Sequence, residues 1–225
     1  MREKGWDIAI AVVRNGRPPV PGAIVPGVAP AALPSLRSLW SALFPASDRS
    51  GGYCLMVTAA ERGEGVSQIA TGLALAGPAI CPDRRIAVVD FNFKRPMVGR
   101  LFRIPAVQGV ADVLAGRLPI EEAPIQTQEM AIDVLPAGCA NGSVLCPFPW
   151  PVAGQLIDHL RAYYDYILLD APAVNVDDLT AELGCLADGV LLVIRAGTTH
   201  REAVMEARFR LDRAGARLVG AVLND

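Results

Sequence analysis

The residues best suited to chemistry lie in one glycine-containing segment, residues 58–68, which reads Thr-Ala-Ala-Glu-Arg-Gly-Glu-Gly-Val-Ser-Gln. An apolar run precedes the segment and a second one follows it, as where a strand turns through glycines into a helix. Glycines let such a turn curl, and the first N–H groups of the helix then face an anion. The spacing predicts a phosphate-binding loop made of Gly63, Glu64, Gly65, Val66, Ser67 and Gln68.

The loop lacks the lysine that completes this kind of motif. That lysine reaches the β- and γ-phosphates, and a Ser or Thr after it holds Mg²⁺. Here Val66 stands at the lysine position, whereas Ser67 keeps the metal-side hydroxyl. Removing one such charge slows phosphoryl chemistry by about 10²–10³-fold. We therefore predict a nucleotide-binding fold with impaired chemistry.

Two aspartates follow apolar runs in a way that suits a metal site. Asp90 ends the run Ile86–Val89, and Asp170 ends the run Ile167–Leu169. An Asp at such a strand end either holds Mg²⁺, directly or through water, or simply caps the next turn. Together with the loop, the two favour a nucleotide site, with Asp90 and Asp170 as candidate catalytic carboxylates and Ser67, Asp90 and Asp170 as candidate Mg²⁺ ligands.

Short apolar runs without polar alternation recur along the chain and predict strands buried on both faces. Helical patterns lie between them, and the last helix has Thr198 or Thr199 as a possible cap and Gly215 at its end. Such alternation predicts an α/β fold with a doubly wound, mostly parallel sheet that binds ligands at the carboxyl ends of its strands. The predicted strands are 55–57, 86–89, 132–135, 167–169, 190–194 and 218–223.

The first 50 residues differ in composition from the rest. Six prolines between Pro18 and Pro34 predict a Pro-rich flexible tail or linker over residues 1–34. Residues 36–44 then predict a short docking helix, with Leu36, Leu39, Trp40 and Leu43 on one face. The nucleotide-binding domain is expected over residues 35–225.

Composition excludes several classes of protein. A net charge of −2 with scattered Lys and Arg offers no basic stripe for nucleic acid. The five cysteines have no metal-binding spacing and indicate reduced thiols. Although 52% of the residues are hydrophobic, no run reaches the ~18–20 apolar residues of a membrane span. We expect a cytoplasmic protein.

From Leu36 to Asn224 the chain resembles the cytoplasmic tyrosine autokinases of bacterial capsule and exopolysaccharide synthesis, a branch of the MinD/ParA-like P-loop ATPases. Six segments carry the resemblance in the family's order. They are residues 57–67 (Walker A), 86–96 (a second Walker A-type motif), 109–116, 132–138, 164–172 (Walker B) and 215–224.

The resemblance implies ATP or ADP with Mg²⁺ as ligands and Asn224 beside the nucleotide. It also implies a membrane-anchored polysaccharide co-polymerase (chain-length regulator) whose cytoplasmic segment docks on this domain, at the periphery of the inner membrane. The chain departs from the family at Val66 and at Asn92, where a second Asp is usual. Its four tyrosines lie in or beside predicted core elements, and no tyrosine-rich segment follows the last strand before Asp225.

A further departure concerns assembly. Family kinases have a Glu-x-x-Arg-x-x-Arg helix that builds a ring, and the corresponding positions here are Pro34, Arg37 and Trp40. With one of three residues retained, ring formation by the family's mechanism is not expected.

The leading hypothesis is a catalytically impaired, pseudokinase-like regulatory subunit of exopolysaccharide or capsule biosynthesis and export. The alternative is an active ATP-dependent tyrosine autokinase or ATPase that uses Arg62 or Lys94 in place of the lysine. A MinD/ParA-type positioning ATPase is less favoured, because those proteins also need the loop lysine.

Overall fold

The computed structural model describes residues 9–13, 30–44, 51–105, 107–123, 125–127, 132–138 and 147–225. Within them the strands are β1 (Ala9–Val13), β2 (Tyr53–Ala59), β3 (Ile86–Asp90), β4 (Ile125–Thr127), β5 (Ile132–Leu135), β6 (Tyr166–Asp170), β7 (Gly189–Arg195) and β8 (Leu218–Asn224). The α-helices are α1 (Leu33–Leu43), α2 (Val66–Ala76), α3 (Val98–Leu101), α4 (Val110–Leu114), α5 (Trp150–Tyr163), α6 (Leu179–Leu183) and α7 (Arg201–Ala214).

These strands form one sheet in the order β1-β8-β7-β2-β6-β3-β5-β4. Every neighbouring pair is parallel except β4 and β5, which are antiparallel. All six apolar runs singled out in the sequence are strands of this sheet. The prediction of a mostly parallel sheet is confirmed.

Helices cover both faces of the sheet, which explains why its strands are apolar on both sides. In β2, Leu55 and Val57 pack in the core beneath α1, α2 and α3. Their neighbours Cys54 and Met56 pack in a second core with α4, α5, α6 and α7. Successive side chains of a strand point to opposite faces, so each central strand contributes to both cores and the fold is doubly wound.

The predicted docking helix is α1, and it packs on α2 of the same chain. Leu36, Leu39, Trp40 and Leu43 are its buried residues, as expected from their spacing. The contact with α2 is close: a Cβ added at Gly72 would lie 2.7 Å from Cδ1 of Leu36. Trp40 is 2% exposed and its ring contacts that of Phe44, so it belongs to the core.

The predicted tail over residues 1–34 is wrong for residues 9–13 and 30–34. Residues 9–13 form β1, which pairs in parallel with β8 at the edge of the sheet. The run was overlooked because it is short and is followed by a proline-rich stretch. A 3₁₀ turn, Pro30–Ala32, leads into α1 at Leu33, and residues 14–29 lie outside the described part.

Candidate nucleotide-binding site

The predicted phosphate loop connects β2 to α2. Gly63 (φ 83°) and Gly65 (φ 91°) both adopt the left-handed conformation that favours glycine. Gly65 also lies against the side chain of Asn224, because a Cβ at this position would be 2.2 Å from Asn224 Nδ2. Two separate constraints therefore require glycine at position 65.

Two strand-end residues hold the loop from the side of β7 and β8. Asn224 Nδ2 donates to the carbonyl of Glu64 at 2.9 Å, and Arg195 Nη1 donates to the carbonyl of Gly63 at 3.4 Å. Arg195 and Asn224 are register partners in the sheet. The structure thus brings Asn224 to the loop, where its amide positions the backbone.

Glu64 ties the loop to the segment before α7. Its side chain is 3% exposed; Oε2 accepts the N–H of Glu61 at 3.0 Å and Oε1 accepts the hydroxyl of Thr199. The same Thr199 oxygen accepts the N–H of Arg195 at 2.9 Å. Glu64 therefore fastens the loop rather than facing its interior.

The expected cap of the last helix needs a correction. The N-cap of α7 is His200, and it makes no side-chain capping bond. Thr199 is engaged with Glu64 instead, a contact between residues far apart in the sequence. At the other end, Gly215 terminates the helix at φ 86°, as expected.

The remaining loop residues form the first turn of α2. Val66, Ser67 and Gln68 begin the helix and are all half-buried. The side chain of Val66 packs against the apolar core between α2 and the sheet. The position that carries a lysine in a P-loop therefore has the aliphatic side chain of Val66.

Asp90 and Asp170 lie side by side at the carboxyl ends of β3 and β6, where they are register partners. Both are completely buried. Asp90 accepts the N–H groups of Asn92, Met97 and Val98 at 2.9, 3.1 and 3.1 Å. Burial nevertheless raises the pKa of Asp90 to about 6, because these bonds offset only part of the desolvation.

Asp170 is in a less favourable position. Among the described residues, neither of its carboxylate oxygens has a hydrogen-bond partner. Burial raises its pKa well above the usual value, the charge of Asp90 raises it further, and the Ser67 side chain offsets part of the shift. A buried carboxylate without partners is costly. The site thus contains two carboxylates and a hydroxyl, which are groups of the kind that bind Mg²⁺. The carboxylate of Asp170 has no hydrogen-bond partner among the described residues.

The two cations considered as replacements for the lysine are placed differently. Lys94 Nζ forms an ion pair with Asp177 Oδ2 at 2.9 Å, so its charge is paired with a carboxylate outside the loop. Arg62 is exposed on the loop and makes no hydrogen bond or ion pair within the described residues. Arg195 was missed in the sequence, although it ends a strand at the same edge of the sheet as the loop.

Asn92, the second departure from the family, closes the turn after β3. Its Oδ1 accepts the N–H of Arg95 at 3.3 Å. The amide therefore has a local structural use and adds no negative charge beside Asp90.

Comparison with known proteins identifies relatives of this chain. The chain is 29% identical over 172 residues to tyrosine-protein kinase YwqD of Bacillus subtilis, which covers 76% of this chain and 71% of that protein. It is 23% identical to tyrosine-protein kinase CpsD of Streptococcus agalactiae, covering 76% of this chain and 74% of that one. This chain is a homologue of the bacterial tyrosine-protein kinases. No family model matches it.

Solved structures of the tyrosine-kinase and MinD families confirm the fold. The kinase domain of Escherichia coli tyrosine kinase ETK superposes with a TM-score of 0.75 at 24% identity, over 86% of this chain and 75% of that one. The septum site-determining protein MinD from Pyrococcus horikoshii, complexed with Mg-ADP, gives a TM-score of 0.66 at 22% identity over 77% and 70%. The fold is that of the MinD-like P-loop NTPases.

A longer homologue shows how this domain occurs elsewhere. The chain is 30% identical over 192 residues to putative tyrosine-protein kinase EpsB of Ralstonia nicotianae, but it spans only 25% of that protein. In the part of this chain that the structure describes, no helix has the length and apolar character to cross a membrane.

Proposed function

We propose that this tyrosine-kinase homologue is a catalytically impaired regulatory subunit of exopolysaccharide or capsule biosynthesis and export. One observation carries the proposal: Val66 occupies the position of the loop lysine and packs against the apolar core. A missing charge beside the transferred phosphoryl group costs about 3–4 kcal/mol of transition-state stabilisation. Asn92 removes a second charge from the metal environment. Together these losses oppose phosphoryl transfer.

The groups that would hold the ligand, as distinct from those that would activate it, are retained. Ser67, Asp90 and Asp170 have the oxygen ligands for one Mg²⁺, which commonly uses one or two carboxylates and keeps several waters. When bound, Mg²⁺ neutralises phosphate charge. The backbone of residues 63–66 would receive the phosphates of ATP or ADP. We therefore propose a nucleotide-binding subunit that performs little chemistry.

The proposed partner is a membrane-anchored polysaccharide co-polymerase whose cytoplasmic segment docks on this domain and keeps it at the inner membrane. Homology to the tyrosine-protein kinases supports this choice. We do not propose a ring built from α1, since Trp40 of that helix is buried against Phe44 and Tyr166.

Capture of the tagged chain from its own cells, after chemical cross-linking, tests the partnership. The proposal expects a membrane co-polymerase of polysaccharide synthesis among the captured proteins. A tag on an unrelated protein of similar size and charge is the control. Recovery of the chain without any polysaccharide-assembly protein contradicts the proposal.

The second candidate is an active kinase or ATPase with a rearranged phosphate site. The contact of Arg195 with the carbonyl of Gly63 supports it, because a cation does reach the loop. The ion pair of Lys94 with Asp177 argues against Lys94 in that role. A measurement of ATP turnover separates the two candidates.

A further inference from the structure

Arg195 and Asn224 act on consecutive peptide groups of the phosphate loop. Arg195 donates to the carbonyl of Gly63, and Asn224 donates to the carbonyl of Glu64. The two residues are register partners at the ends of β7 and β8. Their spacing across the sheet thus matches the spacing of the two carbonyls along the loop.

The direction of these carbonyls fixes the direction of two N–H groups. In a planar trans peptide the C=O of one residue and the N–H of the next point in opposite directions. Since the carbonyls of Gly63 and Glu64 point toward β7 and β8, the N–H groups of Glu64 and Gly65 point away, into the loop. Neither N–H donates to another group in the described part of the chain. Successive N–H groups turned to one side form an anion-binding nest.

Arg195 also brings a guanidinium group into contact with the loop. Its side chain forms no ion pair within the described residues, and its backbone N–H is fixed by Thr199 Oγ1. One of its five N–H donors contacts the carbonyl of Gly63. The guanidinium lies on the carbonyl side of the Gly63–Glu64 peptide, so its positive charge acts across that peptide on an anion held by the N–H groups.

We infer that Arg195 is a positioning residue for diphosphate binding, which orients the Glu64 N–H and brings a positive charge to a loop without lysine. The inference rests on the proposed nucleotide site and adds to it the residue that keeps the site usable. Phosphate is held by backbone N–H groups that Arg195 and Asn224 orient, in a position where the guanidinium charge favours it. The chain thereby retains binding while lacking the lysine that serves phosphoryl transfer.

Calorimetric titration of the full chain with Mg-ADP and with Mg-pyrophosphate tests this inference. We expect Arg195→Ala to weaken both affinities at least tenfold and to make them less dependent on NaCl concentration. Arg195→Lys should recover part of the affinity and the salt dependence. Asn224→Ala should weaken binding without changing the salt dependence, because it removes a hydrogen bond and no charge.

Arg201→Ala is the matched control. Arg201 is an exposed arginine at the start of α7, and its replacement should change affinity less than twofold. Wild-type affinity in Arg195→Ala overturns the inference, as does an affinity loss that leaves the salt dependence unchanged. Circular dichroism and thermal midpoints verify that each variant is folded.

The outcomes separate this inference from the proposed function. If the wild type does not bind at millimolar ADP but Val66→Lys does, Arg195 does not sustain the site and the inference fails, whereas an impaired regulatory subunit still stands. If the wild type turns over ATP, the proposed impairment fails. In that case the affinities of the Arg195 variants still measure how much Arg195 contributes to binding.

Discussion

Replacing Asp170 with Asn should stabilise the protein at neutral pH. The carboxylate is completely buried beside Asp90, and its oxygens have no hydrogen-bond partner among the described residues. Burial and the charge of Asp90 raise the pKa of Asp170 well above its usual value. A buried acceptor left without a hydrogen bond costs about 1–3 kcal/mol, and a charged one costs more; this charge disappears in the variant. After the cost of burying the new amide, we expect a net gain of about 2 kcal/mol.

The pH dependence follows from the direction of both shifts. A carboxyl group whose pKa is higher in the folded state binds more protons there than in the unfolded chain, so stability falls as pH rises from about 4 through about 6. Asp170→Asn should therefore exceed the wild type most above pH 7, and the gap should close as the pH approaches 4. Thermal unfolding should show an increase of about 4–8 °C at pH 7.5.

A control and a ligand complete this test. Asp158→Asn changes an exposed aspartate on α5 and should leave the midpoint nearly unchanged. Millimolar Mg²⁺ should stabilise the wild type at pH 7.5 but not Asp170→Asn, because the metal would lose a carboxylate. A variant that is no more stable than the wild type at pH 7.5 would refute the view that Asp170 is an uncompensated buried charge.

Two further substitutions test the loop and the packing of α1. Gly65→Ala should destabilise the fold by about 1–3 kcal/mol in urea denaturation and abolish ADP binding, because its Cβ would collide with Asn224. Gly63→Ala, where a Cβ meets nothing within 4 Å, should cost only about 1 kcal/mol; equal losses would contradict the collision. Leu36→Ala should cost about 2–5 kcal/mol, because Leu36 fills the contact over Gly72, and a loss below 1 kcal/mol would mean that α1 is not docked.

Much of the fold was predictable because its signals are local. Continuous apolar runs and the face of α1 depend on residues close together in the sequence, and the strands and that helix lie where these patterns put them. β1 and β4 were missed for the same reason. Each is short, and each is stabilised by pairing with a strand that its own sequence does not reveal.

The site was predictable in its members but not in their contacts. The motif spacing identified Asp90, Asp170 and the loop, and β2, β6 and β3 are indeed adjacent, which brings the three together. Sequence could not show that Glu64 binds Thr199 or that Arg195 reaches Gly63. Such contacts join residues more than 130 positions apart and depend on the order of strands in the sheet.

Two aromatic residues at the start of α5 could contact a partner or pack within the domain, and their contacts in the structure distinguish the two. Phe148 and Trp150 lie on a proline-rich segment, which suits either a partner contact or burial. Their rings are in contact, with centroids 4.4 Å apart and planes tilted by 52°, and both pack against the core beneath α5. Their main contact in the structure is therefore within the domain.

The central claim is that the loss of the lysine leaves a folded but catalytically impaired site. It is tested most directly by measuring ATP turnover in the presence of Mg²⁺ for the wild type and for the Val66→Lys, Asn92→Asp double variant. The double variant with Asp170→Asn added is the inactive control. We expect no turnover above the control for the wild type and a measurable gain for the double variant. Turnover by the wild type equal to that of the double variant would contradict the claim and favour an enzyme that uses Arg195 or Arg62 in place of the lysine.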